Sequence, residues 1–289
     1  MIGSKRNLER EGVRAEETRA DAVSLRVGGM ALENGLLLQT ARHWAAAVRE
    51  ADGSIGVTSG AKRFGKPGNA EGGVPVLRGL ARLADSFSVI PTLKGRRGSA
   101  ILPFETPRIL GALGLSALVT AASRRLGGSQ ATQETRALLL GLVPVLLALR
   151  DSELAAYHGA EHKAIDEYEL TMRGEDAAGA VREHARCGSS LVAPMVATSL
   201  AGNIVMRTVM RKPSPATVAL GSLLSLGSAL EIYRWAGKRP DSLVARGLAR
   251  SSYLLQHFFT TREPSEEQME VAREALAELL RLEGKAVSA

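Results

Sequence analysis

Long uncharged stretches alternate with charged segments along this chain. A helix needs about 20 apolar residues to cross a bilayer. Of the four uncharged runs, the last two are long enough, whereas the first two span only if flanking arginines extend to the interface, or else form a buried helical hairpin. This pattern predicts a mainly α, helical membrane protein with about four apolar helices, and a soluble all-helical core is the alternative. The runs are Ile109–Ser123, Ala137–Leu149, Gly188–Met206 and Pro213–Leu230.

The segment before these runs has a different texture. Short apolar runs separated by glycine lie between residues 25 and 60, and Asp52-Gly53 joins two of them, which indicates a hairpin and a small β element. Apolar residues at helical spacing from Leu77 to Phe87, with arginines on the other side, predict a basic amphipathic helix. That helix either lies in the bilayer interface or packs on its own domain.

The end of the chain predicts one further helix. Ser265-x-x-Gln268 is a capping box, and apolar residues then recur on one face as far as Gly284. The expected organisation has four parts: a disordered leader, an N-terminal α+β part with the basic helix, a membrane bundle carrying the motif described below, and a C-terminal helical tail with an amphipathic helix. Their bounds are 1–20, 21–105, 106–236 and 237–289.

Charge is distributed unevenly and favours a bilayer as partner. Residues 42–97 contain ten Lys and Arg against four Asp and Glu, which suits an anionic membrane surface. Only 4% of the residues are aromatic and no nucleic-acid module is present, so no nucleic-acid partner is expected. The single cysteine, Cys187, excludes an internal disulfide, and the charged start lacks a secretory signal. We therefore expect insertion into the cytoplasmic (inner) membrane through internal helices, with the basic segment on the cytoplasmic face.

One heptapeptide, Tyr157 to Lys163, carries the clearest chemistry. Its His158 and His162 are four residues apart, so on a helix both imidazoles project from one face and can bind one divalent ion, zinc above all. Glu161 lies beside them in the His-x-x-Glu-His order of inverted zinc peptidases, in which the glutamate is the general base. Two histidines at this spacing are also compatible with an ordinary helix surface or core.

Several residues are candidates to complete the metal shell. His184 and Cys187 lie just before the third run and offer an imidazole and a thiolate. Glu169 lies two turns after His162 on the same face, and Glu231 closes the fourth run, where a carboxylate is usually paired or functional. Three protein ligands leave a position open for catalysis, whereas four close the site. The spacing leaves both arrangements open.

Five blocks in order resemble the bacterial YqhQ-like family, a domain of unknown function whose members are labelled predicted metal-dependent enzymes. The similarity extends from about residue 26 to residue 280 and implies an integral membrane protein with the metal label on His158, Glu161 and His162, without a known substrate. The blocks are Gly28-Gly29-Met30-Ala31 with Gly35; Pro75-x-x-Arg78-Gly79; Tyr157 to Lys163 followed by Tyr168-Glu169; His184-x-Arg186-Cys187-Gly188-Ser189-Ser190; and Thr260-Thr261-Arg262-Glu263-Pro264.

The chain departs from the family pattern at three positions. Met30 and Asn34 stand where the family has Gln and Glu, and Ala185 replaces a proline. The leading hypothesis is a zinc-dependent membrane hydrolase with an unknown substrate. The alternative is a non-enzymatic scaffold for membrane assembly or translocation, in which a structural metal fastens the 150–190 segment and the partner is another membrane protein. A peripheral protein that uses its basic segment on the membrane surface is a third hypothesis.

Overall fold

A computed structural model describes residues 25–62, 73–150, 152–210 and 213–285. The predicted leader, residues 1–20, lies outside the described residues. The described chain is mainly helical and has a small N-terminal antiparallel sheet, which confirms the predicted combination of a helical protein with a β-containing N-terminal part.

The sheet is a four-stranded meander in the order β1-β2-β3-β4, and all neighbours are antiparallel. The predicted hairpin at Asp52-Gly53 joins β3 to β4. Gly53 has a φ of 85°, a left-handed conformation that glycine adopts without steric strain. The strands are β1 (Gly28–Leu32), β2 (Gly35–Gln39), β3 (His43–Arg49) and β4 (Ile55–Ala61).

Nine α-helices are found in the described residues, and six of them begin at a capping side chain. Ser152, Ser265 and four other Ser or Thr residues accept a hydrogen bond from the amide three positions later, which satisfies one free donor of the first turn. The helices are α1 (Leu77–Phe87), α2 (Ile90–Arg96), α3 (Pro107–Arg125), α4 (Gln130–Leu149), α5 (Glu153–Met172), α6 (Val192–Val209), α7 (Pro215–Gly237), α8 (Leu243–Leu255) and α9 (Glu266–Leu282).

The main core lies between one face of the sheet and helices α5 and α9. Alternate residues of β1 and β2, such as Ala31 and Leu36, pack there against Tyr157 and Ala160 of α5 and the buried face of α9. Residues of opposite parity face α2 across the other side of the sheet. Helix α9 therefore belongs to the same packed unit as β1 and α5, although more than 90 residues separate α9 from either.

Three of the described helices are long and apolar enough to cross a membrane: α4, the helical stretch Gly188–Val209 that includes α6, and α7. Helix α3 holds the first predicted run but is not among them, so three candidate spans replace the expected four. Only 22%, 11% and 17% of the residues in the three apolar windows are buried within the chain. Helices of a soluble core bury far more of their apolar surface, so this exposure favours a membrane protein over the soluble alternative.

A buried carboxylate connects three helices of the bundle. Glu134 of α4 accepts hydrogen bonds or ion pairs from Arg124 of α3 at 3.1 Å, Arg207 of α6 at 2.7 Å and Asn203 of α6 at 3.1 Å. Its side chain is only 1% exposed. A buried carboxylate is stable only when opposite charges and donors surround it, so this cluster fastens the α3–α4 pair to α6.

Helix α1 is attached to α7 by close contacts between small and branched residues. A side chain on Gly79 would meet Leu230 at 2.9 Å, and Val76 packs against Gly227. Arg78 of α1 forms an ion pair with Glu231 of α7. None of the residues in α1 is fully buried, so this helix lies on the surface between the bundle and the sheet.

Candidate metal centre

Helix α5 presents His158 and His162 side by side, as their spacing predicts. The helix runs unbroken through both residues, and the two ring centroids are 4.4 Å apart. His162 is 2% exposed and therefore almost fully removed from water. Burial lowers the pKa of His162, while its contact with Cys187 opposes this effect. A neutral imidazole is the form that binds a metal ion.

Backbone carbonyls fix the orientation of both imidazoles. Nδ1 of His158 lies 2.8 Å from the carbonyl oxygen of Thr260, and Nδ1 of His162 lies 2.7 Å from that of Arg182. A carbonyl only accepts, so Nδ1 of each neutral ring must carry the proton. Each Nε2 is then left with its lone pair. This is the arrangement by which proteins orient histidine ligands of metal ions.

Cys187 completes a group of three potential ligands. Its sulfur lies 3.3 Å from Nε2 of His158, and the ligand atoms of His158, His162 and Cys187 all lie within 4.8 Å of one another. Cys187 begins a short helical turn that leads into α6, and the amide of Ser189 points at its sulfur at 3.4 Å. The loop before it is held by Gln256, whose side chain bonds both the amide and the carbonyl of His184.

The three atoms suit one tetrahedral ion. Bonds of about 2.0–2.3 Å to nitrogen and sulfur place neighbouring ligand atoms about 3.5 Å apart around zinc. The sulfur of Cys187 and Nε2 of His158 already have this separation. The other separations in the group are at most 4.8 Å. The donor set of two imidazoles and a thiolate fits zinc chemically.

Glu161 lies next to this group and is 5% exposed. No residue of the described ranges forms a hydrogen bond or ion pair with its carboxyl group. A side chain on Gly29 of β1 would meet Oε1 of Glu161 at 2.7 Å, so the carboxyl group occupies space that only a glycine leaves free. Burial raises the pKa of Glu161, and the nearby His158 and His184 lower it. A carboxyl group with a raised pKa is a better base than an exposed one.

A cavity of about 370 Å³ opens beside these groups. Its polar end contains His158, His162, Cys187 and Glu161, with His184 and Arg186 nearby. An apolar part of its wall comes from β1, β2 and α1 and includes Met30, Leu37, Leu83 and Phe87. A concave site with a few convergent polar groups at one end is the usual form of a small-ligand or active site.

Comparison with known proteins places the chain in a family. Residues 134–282, just over half of the chain, match the sequence model of the family described as "Protein of unknown function (DUF1385)". The chain belongs to the DUF1385 family. It is also 27% identical over 299 residues to the "Uncharacterized protein YqhQ" of Bacillus subtilis (strain 168), covering 89% of this chain and 92% of that protein. No solved structure matches. The resemblance derived from the five sequence blocks is thereby confirmed.

Three other predicted ligands of this DUF1385 protein lie outside the group of three. The His184 ring lies 5.6 Å from that of His162, but its Nε2 is directed to Glu169 at 3.8 Å. Glu169 also pairs with Arg186. His184 and Glu169 therefore form a polar pair beside the group of three ligands. Glu231 is paired with Arg78, and at 3.8 Å with Arg234, so the structure does not bring it to the histidines.

Sequence reasoning missed the groups that position the ligands. Thr260 follows α8 in the π-helical turn Gln256–Thr260, which directs its carbonyl oxygen at His158. Gly159 lets the segment that follows Thr260 approach α5, because a side chain on Gly159 would collide with the carbonyl oxygen of Arg262. The only signal was the Thr260–Pro264 block of the DUF1385 resemblance, which carried no role by itself.

Proposed function

We propose that this DUF1385 protein is a membrane-integral, metal-dependent hydrolase that binds a divalent ion, zinc, at His158, His162 and Cys187. One observation carries the proposal: three converging ligand atoms lie at the wall of a cavity that a buried, unpaired carboxyl group also lines. Three protein ligands leave a fourth position open, as catalytic zinc sites do. Structural zinc sites use four.

The chemistry would divide between the ion and Glu161. His158, His162 and Cys187 would hold the divalent cation, which would supply a Lewis acid that makes water more acidic and polarises a carbonyl group. Glu161 accepts the proton of the attacking water and passes it to the leaving group. Its raised pKa suits both steps, because the carboxyl group is a stronger base before transfer and still an acid afterwards. The carbonyls of Thr260 and Arg182 hold the imidazoles in place.

The packed core constrains how the helices cross the bilayer. Strand β1 and helix α5 share one core, so they lie on the same side of the membrane. The chain leaves that side through α3 and comes back through α4, so these two helices either both cross the membrane or both do not. Because α4 is apolar and mostly exposed, we propose that α3 crosses with it despite its lower hydropathy. The same reasoning pairs α6 with α7. The site then lies on one face of the bacterial cytoplasmic membrane, and the basic 42–97 segment favours the cytoplasmic face.

Elemental analysis of the detergent-purified full-length protein tests the metal assignment. We expect about one zinc per chain in the wild type and loss of zinc in the His158→Ala/His162→Ala variant. His257→Ala is the matched control, because His257 is exposed and pairs with Glu183 at 2.8 Å. A wild type that binds no transition metal after reconstitution with zinc or cobalt would refute the proposal.

A second candidate function is a scaffold in which the ion is structural. It is favoured by the position of Cys187, which begins the turn into α6, so that metal binding would fasten α5 to the adjacent span. The two functions differ at Glu161. Glu161→Gln keeps the metal in both cases, but it abolishes turnover only in the hydrolase. A scaffold would instead lose the association of α5 with α6 when Cys187→Ser removes the thiolate.

A further inference from the structure

Strand β1 is an edge of the sheet, and its free side borders the candidate metal centre. Leu32 and Gly35 flank a two-residue turn, so their backbones form a hydrogen-bonded pair. Because such pairs alternate along an antiparallel ladder, Met30 and Gly28 also form hydrogen-bonded pairs with β2. Gly29 falls between these pairs. Its amide and carbonyl therefore point away from β2, and no described residue pairs with them.

The free stretch of this edge is short and well defined. Beyond the buried Ala31, the segment around Ile101 covers the edge, because the amide of Glu33 donates a hydrogen bond to the carbonyl of Ile101 at 2.9 Å. Gly28 and Gly29 are exposed, so a ligand can reach the backbone there. The chain therefore leaves one pairing position open, and that position lies against the carboxyl group of Glu161.

We propose that this edge receives an extended peptide, which adds to β1 as a further strand. The inference rests on the proposed hydrolase function and names its substrate class. A strand paired with Gly29 would lie about 4.8 Å from β1, with its backbone beside Glu161 and the three metal ligands. Main-chain hydrogen bonds would give such binding its register, and side-chain pockets would give it selectivity.

The cavity matches an extended peptide because it contacts both faces of β1. Successive side chains of a strand point to opposite faces. On one face of the edge lie Glu161 and the histidines, and on the other lies the apolar wall that includes Met30, Leu83 and Phe87. An apolar side chain next to the scissile bond fits that wall. An acyl chain would fit it too, but would leave the amide and carbonyl of Gly29 without partners.

The reaction is hydrolysis of an amide bond. The oxygen of water bonds to the carbonyl carbon of the peptide, and Glu161 accepts the proton. The bond between that carbon and the amide nitrogen then breaks, and Glu161 returns the proton to the leaving amine. Water is the only co-reactant, and no oxidation or reduction occurs.

The test uses the full-length zinc-loaded Glu161→Gln variant in nanodiscs, which is expected to bind peptides without cleaving them. A degenerate pool of acetylated, amidated decapeptides is applied, and retained species are identified by mass spectrometry. Gly28→Leu, added in the same background, projects a side chain from the face of β1 that carries Met30 into the apolar side of the cavity, and it does so without a clash because nothing lies within 4 Å of that position. Gly98→Leu is the matched control, since it also has open space around it but lies away from the cavity.

We expect retained decapeptides with an apolar residue in a fixed position, and retention at least about tenfold weaker for Gly28→Leu, because its side chain fills the space that this apolar residue would occupy. Methylation of the peptide's backbone amide that pairs with Gly29 should abolish retention, whereas methylation of the neighbouring amide should not.

If a zinc-loaded protein retains no decapeptide, or equal amounts with Gly28→Leu and Gly98→Leu, the peptide proposal is overturned while the metal site stands. Retention of a fluorescent lysophospholipid that Gly28→Leu blocks, without peptide binding, would assign a lipid instead. Absence of zinc would remove the hydrolase itself.

Discussion

Gly159 offers a sharp test of the structure, because local and tertiary effects predict opposite results for Gly159→Ala. Alanine stabilises a helix interior over glycine by about 1 kcal/mol. On that basis alone, Gly159→Ala should stabilise the protein. The added methyl group, however, would collide with the carbonyl oxygen of Arg262. Overpacking of this kind typically costs about 1–3 kcal/mol.

Relief of that collision requires the segment after α8 to move away from α5. Two hydrogen bonds would weaken: the one from the Arg262 amide to the Ala155 carbonyl at 2.9 Å, and the one between His158 and the Thr260 carbonyl at 2.8 Å. Each contributes about 0.5–1.5 kcal/mol. After the gain of about 1 kcal/mol in helix propensity is subtracted, the expected net loss of stability is up to about 2 kcal/mol. At about 2–4 °C per kcal/mol for a large domain, this lowers Tm by up to roughly 8 °C.

Thermal unfolding of the detergent-purified protein, followed by tryptophan fluorescence, measures the change in Tm. Competition with a chelator measures zinc affinity, which should fall about 10–100-fold because His158 loses its orienting carbonyl. Gly247→Ala is the control. Gly247 is an exposed helical glycine with nothing within 4 Å, so its replacement should raise Tm slightly and leave zinc affinity unchanged. If Gly159→Ala matches Gly247→Ala in both measurements, the proposed contact between α5 and the Thr260–Pro264 segment is refuted.

Three further predictions concern the bundle, the topology and the surface. Glu134→Ala removes a buried acceptor of hydrogen bonds from two partly exposed arginines and should destabilise the protein by about 1–3 kcal/mol, seen as a lower Tm; an unchanged Tm would contradict the cluster. Cysteines in place of Ala51 and Gly127 should react with an impermeant thiol reagent from opposite sides of the membrane if α3 and α4 both cross, and from the same side if neither does. A hydrogen bond from Arg281 lowers the pKa of Glu278 to about 2, so Glu278 stabilises the fold above pH 4.5, and this contribution is lost as the pH falls from about 4.5 towards 2. Tm should therefore fall less steeply over that range in Glu278→Gln than in the wild type, and equal slopes would exclude this role.

The sequence alone determined the features that depend on local patterns. The length of the uncharged runs identified three of the apolar helices, and Asp52-Gly53 identified the β3–β4 hairpin because few dipeptides adopt that turn. The spacing of His158 and His162 determined that their rings share a face, since a helix returns to nearly the same direction after four residues.

Tertiary structure decided which distant residues join them. His184, Cys187, Glu169 and Glu231 were all chemically suitable ligands, and the sequence offered no distance between any of them and the histidines. The fold brings Cys187 to His158, turns His184 towards Glu169, and holds Glu231 against helix α1. The separations arise from packing between elements that are far apart in the chain.

Packing between distant elements also explains the role of helix α9. An amphipathic sequence shows that a helix buries one face, but it does not show what covers that face. Helix α9 packs on β2, β3, β4 and α5, which makes one core from segments more than 90 residues apart. The free backbone of Gly29 next to Glu161 follows from that core alone, because it depends on where a strand ends beside a helix and not on either sequence pattern.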